Sequence, residues 1–457
     1  MSTTDLTGPD AVFKAYDIRG VVPDQLDRDL ARRVGNAFVV VTGAETIVVG
    51  HDMRPSSPGL ADAFAEGATA AGADVVQLGL VSTDELYFAS GHLDHPGAMF
   101  TASHNPARYN GIKLCRALAQ PVGRDTGLTE IRERVASGEI RVSAAEGSVS
   151  RRDVLAAYAD HLLQLAPVRG RRLKVAVDAG NGMAGLTAPA VLGRLDVELV
   201  AMYFDLDGSF PNHEANPIDP ANLVDLQERV RSSGADIGLA FDGDADRCFV
   251  VDERGEAVSP SVLTALIACR ELAKEPGATI IHNLITSRAV PEIVAEHGGA
   301  VVRSRVGHSF IKATMAETDA IFGGEHSGHF YFRDFWRADS GMLAALHSLA
   351  ALAASDEPLS RLLEPYQRHV SSGEINSEVS DQQALLADLE ESWCSRAGVV
   401  VDHLDGLTVT HDDWWFNVRP SNTEPLLRLN VEGVDEPTMS KVRDEVLGQI
   451  RGKDRSK

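Results

Sequence analysis

The run Asp242-Gly-Asp-Ala-Asp-Arg247 sets three carboxylates at alternate positions. In an extended or tightly turned loop, alternate side chains converge readily on one hard cation. A calcium EF-hand shares part of this pattern, with Glu253 at position 12, but it needs glycine where Arg247 stands and helices on either side. The flanks here, 237–241 and 248–251, are apolar and strand-like. Three carboxylates with open coordination positions suit Mg²⁺, which commonly binds a substrate's phosphate as well. A serine, Ser103, lies in Thr101-Ala-Ser-His-Asn-Pro106, where Pro106 holds the chain in a turn. A serine nucleophile needs activation or a strong electrophile. Its neighbour His104 is not expected to supply it, because adjacent side chains rarely aim at one another, and no G-x-S-x-G elbow is present. The segment Glu325-His-Ser-Gly-His329 is not H-E-x-x-H and has no nearby cysteine, so it does not read as a zinc site. Glu325 and Ser327 read instead as a polar clamp for sugar hydroxyls. Arg419-Pro-Ser-Asn-Thr-Glu-Pro425 offers a guanidinium, two hydroxyls, an amide and turn N–H groups, a cradle for a phosphate dianion.

These loops need elements to hold them. Short β-branched runs alternate with Ala/Leu-rich stretches, the rhythm of α/β architecture with mostly parallel strands. The runs fall into a threefold internal pattern. The first unit has strands near 46–50, 74–78 and 97–100, the last running into the Ser103 turn. The second has them at 173–178, near 197–204 and at 237–241, the last running into the aspartate loop. The third has them at 278–282, 300–303 and 320–322, the last running into the Glu325 loop. In each unit the most polar loop follows the third strand, where open α/β sheets bind ligands. A polar stretch, 137–152, is expected to be a linker, Asp252-Glu-Arg-Gly255 a hairpin-like turn, and Ser371-Ser-Gly373 the opening of a different, α+β region. Domains are therefore expected at 1–150, 151–255, 256–370 and 371–457.

The bulk numbers narrow the partners. A chain of 457 residues is too long for one core. A formal net charge of -23 repels nucleic acid and anionic membranes, so neither is expected as a partner, and an anionic substrate would need a local basic pocket. The four cysteines form no C-x-x-C pair and suit a reducing cytoplasm. The first ten residues lack the basic and apolar regions of a signal peptide. The richest apolar run, 342–354, is too short to span a bilayer and reads as a buried helix.

The four loops, in this order, resemble those of the α-D-phosphohexomutase superfamily, and of its bacterial phosphomannomutase/phosphoglucomutase branch in particular. The resemblance runs from Phe13-Lys-Ala-Tyr-Asp-Ile-Arg-Gly20 to the Arg419 loop. It implies three related α/β domains with mixed, mostly parallel sheets and a smaller C-terminal α+β domain around one central cleft. It implies a phosphoserine at Ser103, with Asp242, Asp244 and Asp246 holding Mg²⁺ together with that phosphate. Arg247 would sit beside the reacting group. Lys113 and His104 would assist proton transfer, and His308 and His329 would help place the reacting end. Glu325 and Ser327 would contact sugar hydroxyls, while Arg419, Ser421, Asn422 and Thr423 would grip the other phosphate. Tyr16 and Arg19 would line the cleft. The implied activity is phosphomannomutase, probed against phosphoglucomutase as the main activity, a magnesium-dependent sugar phosphatase, and a non-catalytic sugar-phosphate sensor. Hexose phosphate would be the substrate and hexose 1,6-bisphosphate the intermediate and activator. The oligomeric state stays open. Phosphoglucosamine mutases usually carry glutamine where His326 stands. One departure bears on the sugar: the branch often has a lysine where this chain has Leu284 and Ile285, leaving Arg288 as the available substitute.

Overall fold

A computed structural model describes residues 9–421 and 426–454. It holds four sheets. The first contains β1 (Ile18–Val21), β2 (Thr46–His51), β3 (Asp74–Leu80), β4 (Gly97–Phe100), β5 (Tyr109–Cys115) and β6 (Val149–Arg151), in the order β1-β5-β4-β2-β3-β6. The second contains β7 (Leu173–Asp178), β8 (Val197–Met202), β9 (Ile237–Phe241), β10 (Cys248–Asp252) and β11 (Ala257–Val258), in the order β11-β10-β9-β7-β8. The third contains β12 (Thr279–Asn283), β13 (Ala300–Ser304), β14 (Phe322–Gly324), β15 (Phe330–Phe332) and β16 (Ala338–Asp339), in the order β13-β12-β14-β15-β16.

The threefold pattern is a structural repeat. In each unit the first strand of the pattern (β2, β7, β12) lies between the second and third and is parallel to both. The third strand then turns back into an antiparallel partner, β4 to β5, β9 to β10 and β14 to β15. The three polar loops are therefore the three hairpin connections at equivalent sheet positions. The fourth sheet differs: β17 (Val370–Glu378), β18 (Val400–Asp402), β19 (Leu407–Thr410), β20 (Trp414–Pro420) and β21 (Leu426–Gly433) pair antiparallel throughout, in the order β17-β21-β20-β19-β18.

Two expectations need correction. The stretch 137–152 is not only linker, because β6 lies in it and pairs parallel with the edge of β3. It carries three exposed residues, Val-Ser-Arg, too few to show a period. The strand expected at 320–322 begins at Phe322, where residue pairing with β12 and β15 starts.

Domain I has its own apolar core, as does the C-terminal domain. Domains II and III share one, and the helix Gly341–Ala353 runs through it buried along its whole length. Tyr87 and Phe88 of domain I join that shared core. The three repeat units are thus packed as a block, which fixes their loops relative to one another. Among the described residues no helix is long and apolar enough to cross a membrane.

Candidate active site

The Ser103 turn is held from beneath by one buried side chain. Arg54, which follows β2, donates hydrogen bonds to the carbonyls of Ser103 (2.9 Å), Asn105 (2.7 Å), Pro106 (2.9 Å) and Tyr109 (3.0 Å). Its Nε pairs with Asp52 at 3.2 Å. Arg19 of β1 adds bonds to Asn105 Oδ1 and, at 3.4 Å, to the Ala102 carbonyl. So braced, Ser103 adopts a left-handed backbone with φ of 49°, a conformation that needs such over-determination in a residue with a side chain. Its hydroxyl donates to Asp242 Oδ2 at 2.7 Å. Its oxygen also lies 3.2 Å from His104 Nδ1, so the expectation that the adjacent histidine points elsewhere is corrected: the tight turn brings the two side chains round to one side. The nearby Arg247 charge, followed by burial, holds the His104 imidazole well below its ordinary range, which keeps it neutral.

The aspartate loop meets this turn closely. A methyl group on Gly243 would stand 2.5 Å from the Ser103 carbonyl oxygen, so only glycine permits the approach. Asp242, Asp244 and Asp246 are all buried, with oxygens within 4.8 Å of one another. Lys113 of β5 donates to Asp244 at 2.7 Å and Asp246 at 2.6 Å, and Thr83 donates to Asp244 at 2.6 Å. Arg247 pairs with Asp242 at 2.8 Å. Burial is the largest influence on Asp242 and pushes its carboxyl up, against the pull of Arg247. Burial also opposes the Asp244 charge, but Lys113 and Thr83 outweigh it and hold that carboxyl well below the usual range. The same pairings overcome burial at Lys113 and hold its ammonium well above its ordinary range.

Three carboxylates against one lysine and one arginine leave the cluster with one negative charge in excess. Asp244 Oδ1 and Asp246 Oδ1 are buried without a hydrogen-bond partner. Buried anionic oxygens with no donor are costly. The donor set, all hard oxygen, and these two unsatisfied atoms fit a divalent cation such as Mg²⁺.

Domain III closes the other side. The Arg247 backbone pairs with that of His329, and His329 Nε2 lies 3.7 Å from Asp246. His329 Nδ1 lies 3.0 Å from Ser327 Oγ. Glu325 is buried and accepts from Tyr331 (2.7 Å), the Gly307 N–H (3.1 Å) and Asn283 (3.3 Å). Tyr16 stands edge-on to Phe310 at 5.9 Å, beside Gly307. Tyr16, Tyr87, Lys113, Ser309 and Lys312 line a cleft between domains I and III. Both of its lysines already face carboxylates, Lys113 those of Asp244 and Asp246 and Lys312 that of Asp339 at 2.8 Å.

The structure thus gathers Ser103, His104, Lys113, the three aspartates, Arg247, Glu325, Ser327 and His329 into one group, with Tyr16 and Arg19 at its margin. Arg419 stands in the C-terminal domain, paired with Glu374 at 2.7 Å, and Ser421 closes the start of its loop by donating from its N–H to the Leu426 carbonyl. Asn422, Thr423 and the His308 side chain lie outside the described residues. Arg288 does not take the place of the absent lysine. Its guanidinium is spent on the carbonyls of His411 (3.0 Å) and Asp412, where it ties domain III to the C-terminal domain. Sequence reasoning missed Arg54 and Thr83. The polar turn at 51–57, at the carboxyl end of a strand, was the available signal for the first.

Four consecutive family models match this fold and site: phosphoglucomutase/phosphomannomutase alpha/beta/alpha domain I over residues 10–141, domain II over 156–255 and domain III over 260–369, and the C-terminal domain over 374–449. The chain belongs to the phosphoglucomutase/phosphomannomutase family and is a phosphohexomutase, an isomerase. Among its relatives, a phosphohexose mutase of Xanthomonas campestris is 40% identical over 444 residues, 96% of this chain and 99% of the relative. A phosphomannomutase of Salmonella montevideo is 41% identical over 446 residues, 95% of this chain and 98% of the other. The crystal structure of a phosphoglucomutase/phosphomannomutase family protein from Burkholderia thailandensis superposes with a TM-score of 0.89 at 34% identity, covering 97% of this chain and 98% of that one.

Proposed function

We propose that this phosphohexomutase interconverts mannose 1-phosphate and mannose 6-phosphate, and glucose phosphates as a second activity, through phosphoserine at Ser103 and a hexose 1,6-bisphosphate. The observation that carries the reading is the Ser103 hydroxyl, held in a left-handed turn against buried Asp242 where three carboxylates, Arg247 and Lys113 converge. The phosphomannomutase from Salmonella montevideo, similar over nearly its whole length, supports mannose as the main sugar. Unpaired cysteines, two of them buried, support work in the cytoplasm.

In this mechanism the free hydroxyl of a hexose monophosphate attacks the phosphorus on Ser103. The bond from phosphorus to the serine oxygen breaks, and the bisphosphate forms. The attacking hydroxyl must lose its proton and the departing Ser103 oxygen must gain one; His104, 3.2 Å from that oxygen, is the side chain placed to hand the proton across. Arg247 and Lys113 offset a phosphoserine charge of about -1.5 to -2. Asp242, Asp244, Asp246 and the phosphate on Ser103 would hold Mg²⁺, which neutralises charge on the transferring group when bound. Glu325 and Ser327 orient the sugar. The bisphosphate turns end for end within the cleft, and its other phosphate returns to Ser103. The Arg419 loop grips the phosphate that is not reacting, so it must accept either end of the sugar.

Incubation with mannose 1-phosphate or glucose 1-phosphate, with hexose 6-phosphate and free phosphate measured together, tests the reading. Hexose 6-phosphate should accumulate with little free phosphate, and kcat/KM should favour mannose. Stoichiometric release of free phosphate points to a phosphatase instead. Ser103→Ala should abolish turnover while sugar-phosphate binding persists; a fully active variant rules the phosphoserine out.

A further inference from the structure

The strands that lead into and out of the Arg419 loop carry two arginines side by side. Arg419 of β20 and Arg428 of β21 are direct antiparallel partners, so both side chains leave the sheet on one face, where like charges repel. One carboxylate answers both. Glu374 Oε2 lies 2.7 Å from Arg419 Nη2, and Glu374 Oε1 lies 3.4 Å from Arg428 Nη1. A bulge aims it there. The β17–β21 register shifts between Ser371 and Glu374, and Gly373 within the shift has φ of 66°. Bulges commonly re-aim a side chain beside an active site. Among the described residues, which leave out 422–425 between the two strands, two guanidinium groups face one carboxylate. The Nε atoms of both arginines are buried with no acceptor among the described residues. The cluster also faces domain III: burial lowers the His326 imidazole, and the Glu374 charge raises it in part.

We infer that Glu374 is a resident anion which Arg419 and Arg428 exchange for the substrate's phosphate, and that Arg428 is a second anchor of that phosphate. The inference rests on the reading of the Arg419 loop as the phosphate cradle. A phosphate dianion brings more charge and more acceptor oxygens than a carboxylate, so it displaces Glu374, but only by the difference between them. The exchange has a use. The bisphosphate must let go of the cradle in order to turn, and an arginine with its own carboxylate to return to is never left as a bare, half-buried cation. Glu374 therefore weakens phosphate binding and speeds release.

Calorimetric titration of inorganic phosphate, in EDTA so that the aspartate cluster holds no metal, tests this with wild type, Glu374→Gln, Arg428→Ala and Arg419→Ala, each checked for an intact thermal transition. Glu374→Gln should bind phosphate about fivefold more tightly and Arg428→Ala about fivefold more weakly, and Arg419→Ala should lose most binding. In the mutase assay Glu374→Gln should lower both KM for glucose 1-phosphate and kcat, because the cradle lets go slowly. If Arg419→Ala loses binding while Glu374→Gln binds phosphate no more tightly than wild type, Glu374 is a staple of the sheet and the exchange is wrong. Unchanged binding in Arg428→Ala removes Arg428 from the anchor. Equal binding by wild type and Arg419→Ala overturns the cradle reading, and this inference with it.

Discussion

A serine oxygen is placed here by a side chain that never touches it. Arg54 spends its guanidinium on four carbonyls of the Ser103 turn, and its planar fork suits that task as a lysine ammonium does not. Arg54→Lys keeps the charge but can satisfy at most three acceptors, from a different geometry. It should lower kcat at least about tenfold with KM for hexose phosphate nearly unchanged, since a misplaced nucleophile costs the reaction more than binding. Steady-state kinetics check the split; a rise in KM alone argues against a positioning role. Asp244→Asn removes a carboxylate whose second oxygen is unsatisfied. Half-maximal activity should then require about tenfold more Mg²⁺, read from a metal titration of the chelated enzyme. Much of the site was legible because its chemistry lies in contiguous runs: the aspartates alternate within five residues, and Arg247 follows directly. What was not legible is long-range. Arg54 and Ser103 are 49 positions apart, and Thr83 and Asp244 are 161 apart. A lone arginine or threonine carries no local sign of such a partner.

At the scale of elements, the helices Arg28–Thr42 and Ser57–Ala70 of domain I cross backbone to backbone. A methyl group on Gly67 would stand 1.9 Å from the Arg32 carbonyl oxygen, and one on Gly35 would stand 2.1 Å from that of Phe64. The neighbours are main-chain atoms, so relief requires the helices to part. Gly67→Ala should destabilise the protein by about 1–3 kcal/mol. Gly448, in the helix Glu436–Asp454, has open space around it, and Gly448→Ala should stabilise by roughly 0.5–1 kcal/mol. Chemical denaturation of the two variants side by side checks both signs. The repeat itself was legible, because most of its strands are runs of four to seven β-branched and apolar residues between polar turns, and these leave a period in the chain. The return strands were harder to see. β10 was recognised as strand-like, yet β11, β15 and β16 have two or three residues each, and so short a segment owes its structure to the neighbour it pairs with rather than to its own pattern.

At the scale of the molecule, the three repeat units meet on one buried carboxylate. Asp84, at the start of the helix Thr83–Leu93 in domain I, accepts from Ser82, from Tyr158 of domain II at 2.7 Å, and from Ser340 of domain III at 2.6 Å. Burial is the dominant influence and pushes its carboxyl up to about 6, against those three hydroxyls. Glu85 beside it is pushed up to about 8, first by burial and then by the Asp84 charge, and its Oε2 is buried without a partner. Both groups bind protons more tightly folded than unfolded, so each favours the folded state most when protonated. That contribution is complete below the ordinary carboxylate range and is lost as pH rises, between about 4 and 6 for Asp84 and between about 4.5 and 8 for Glu85. For Asp84 the loss is on the order of 3 kcal/mol, from about 1.4 kcal/mol per pKa unit. The free energy of unfolding should therefore decline from pH 5 to pH 8 in wild type, with chelator present to keep metal binding out of the slope. Asp84→Asn should flatten the acidic part of that decline and Glu85→Gln the part above pH 6, because each amide retains the shape but not the proton. A decline in the double variant as steep as in wild type would place the titrating groups elsewhere than the junction of the three domains.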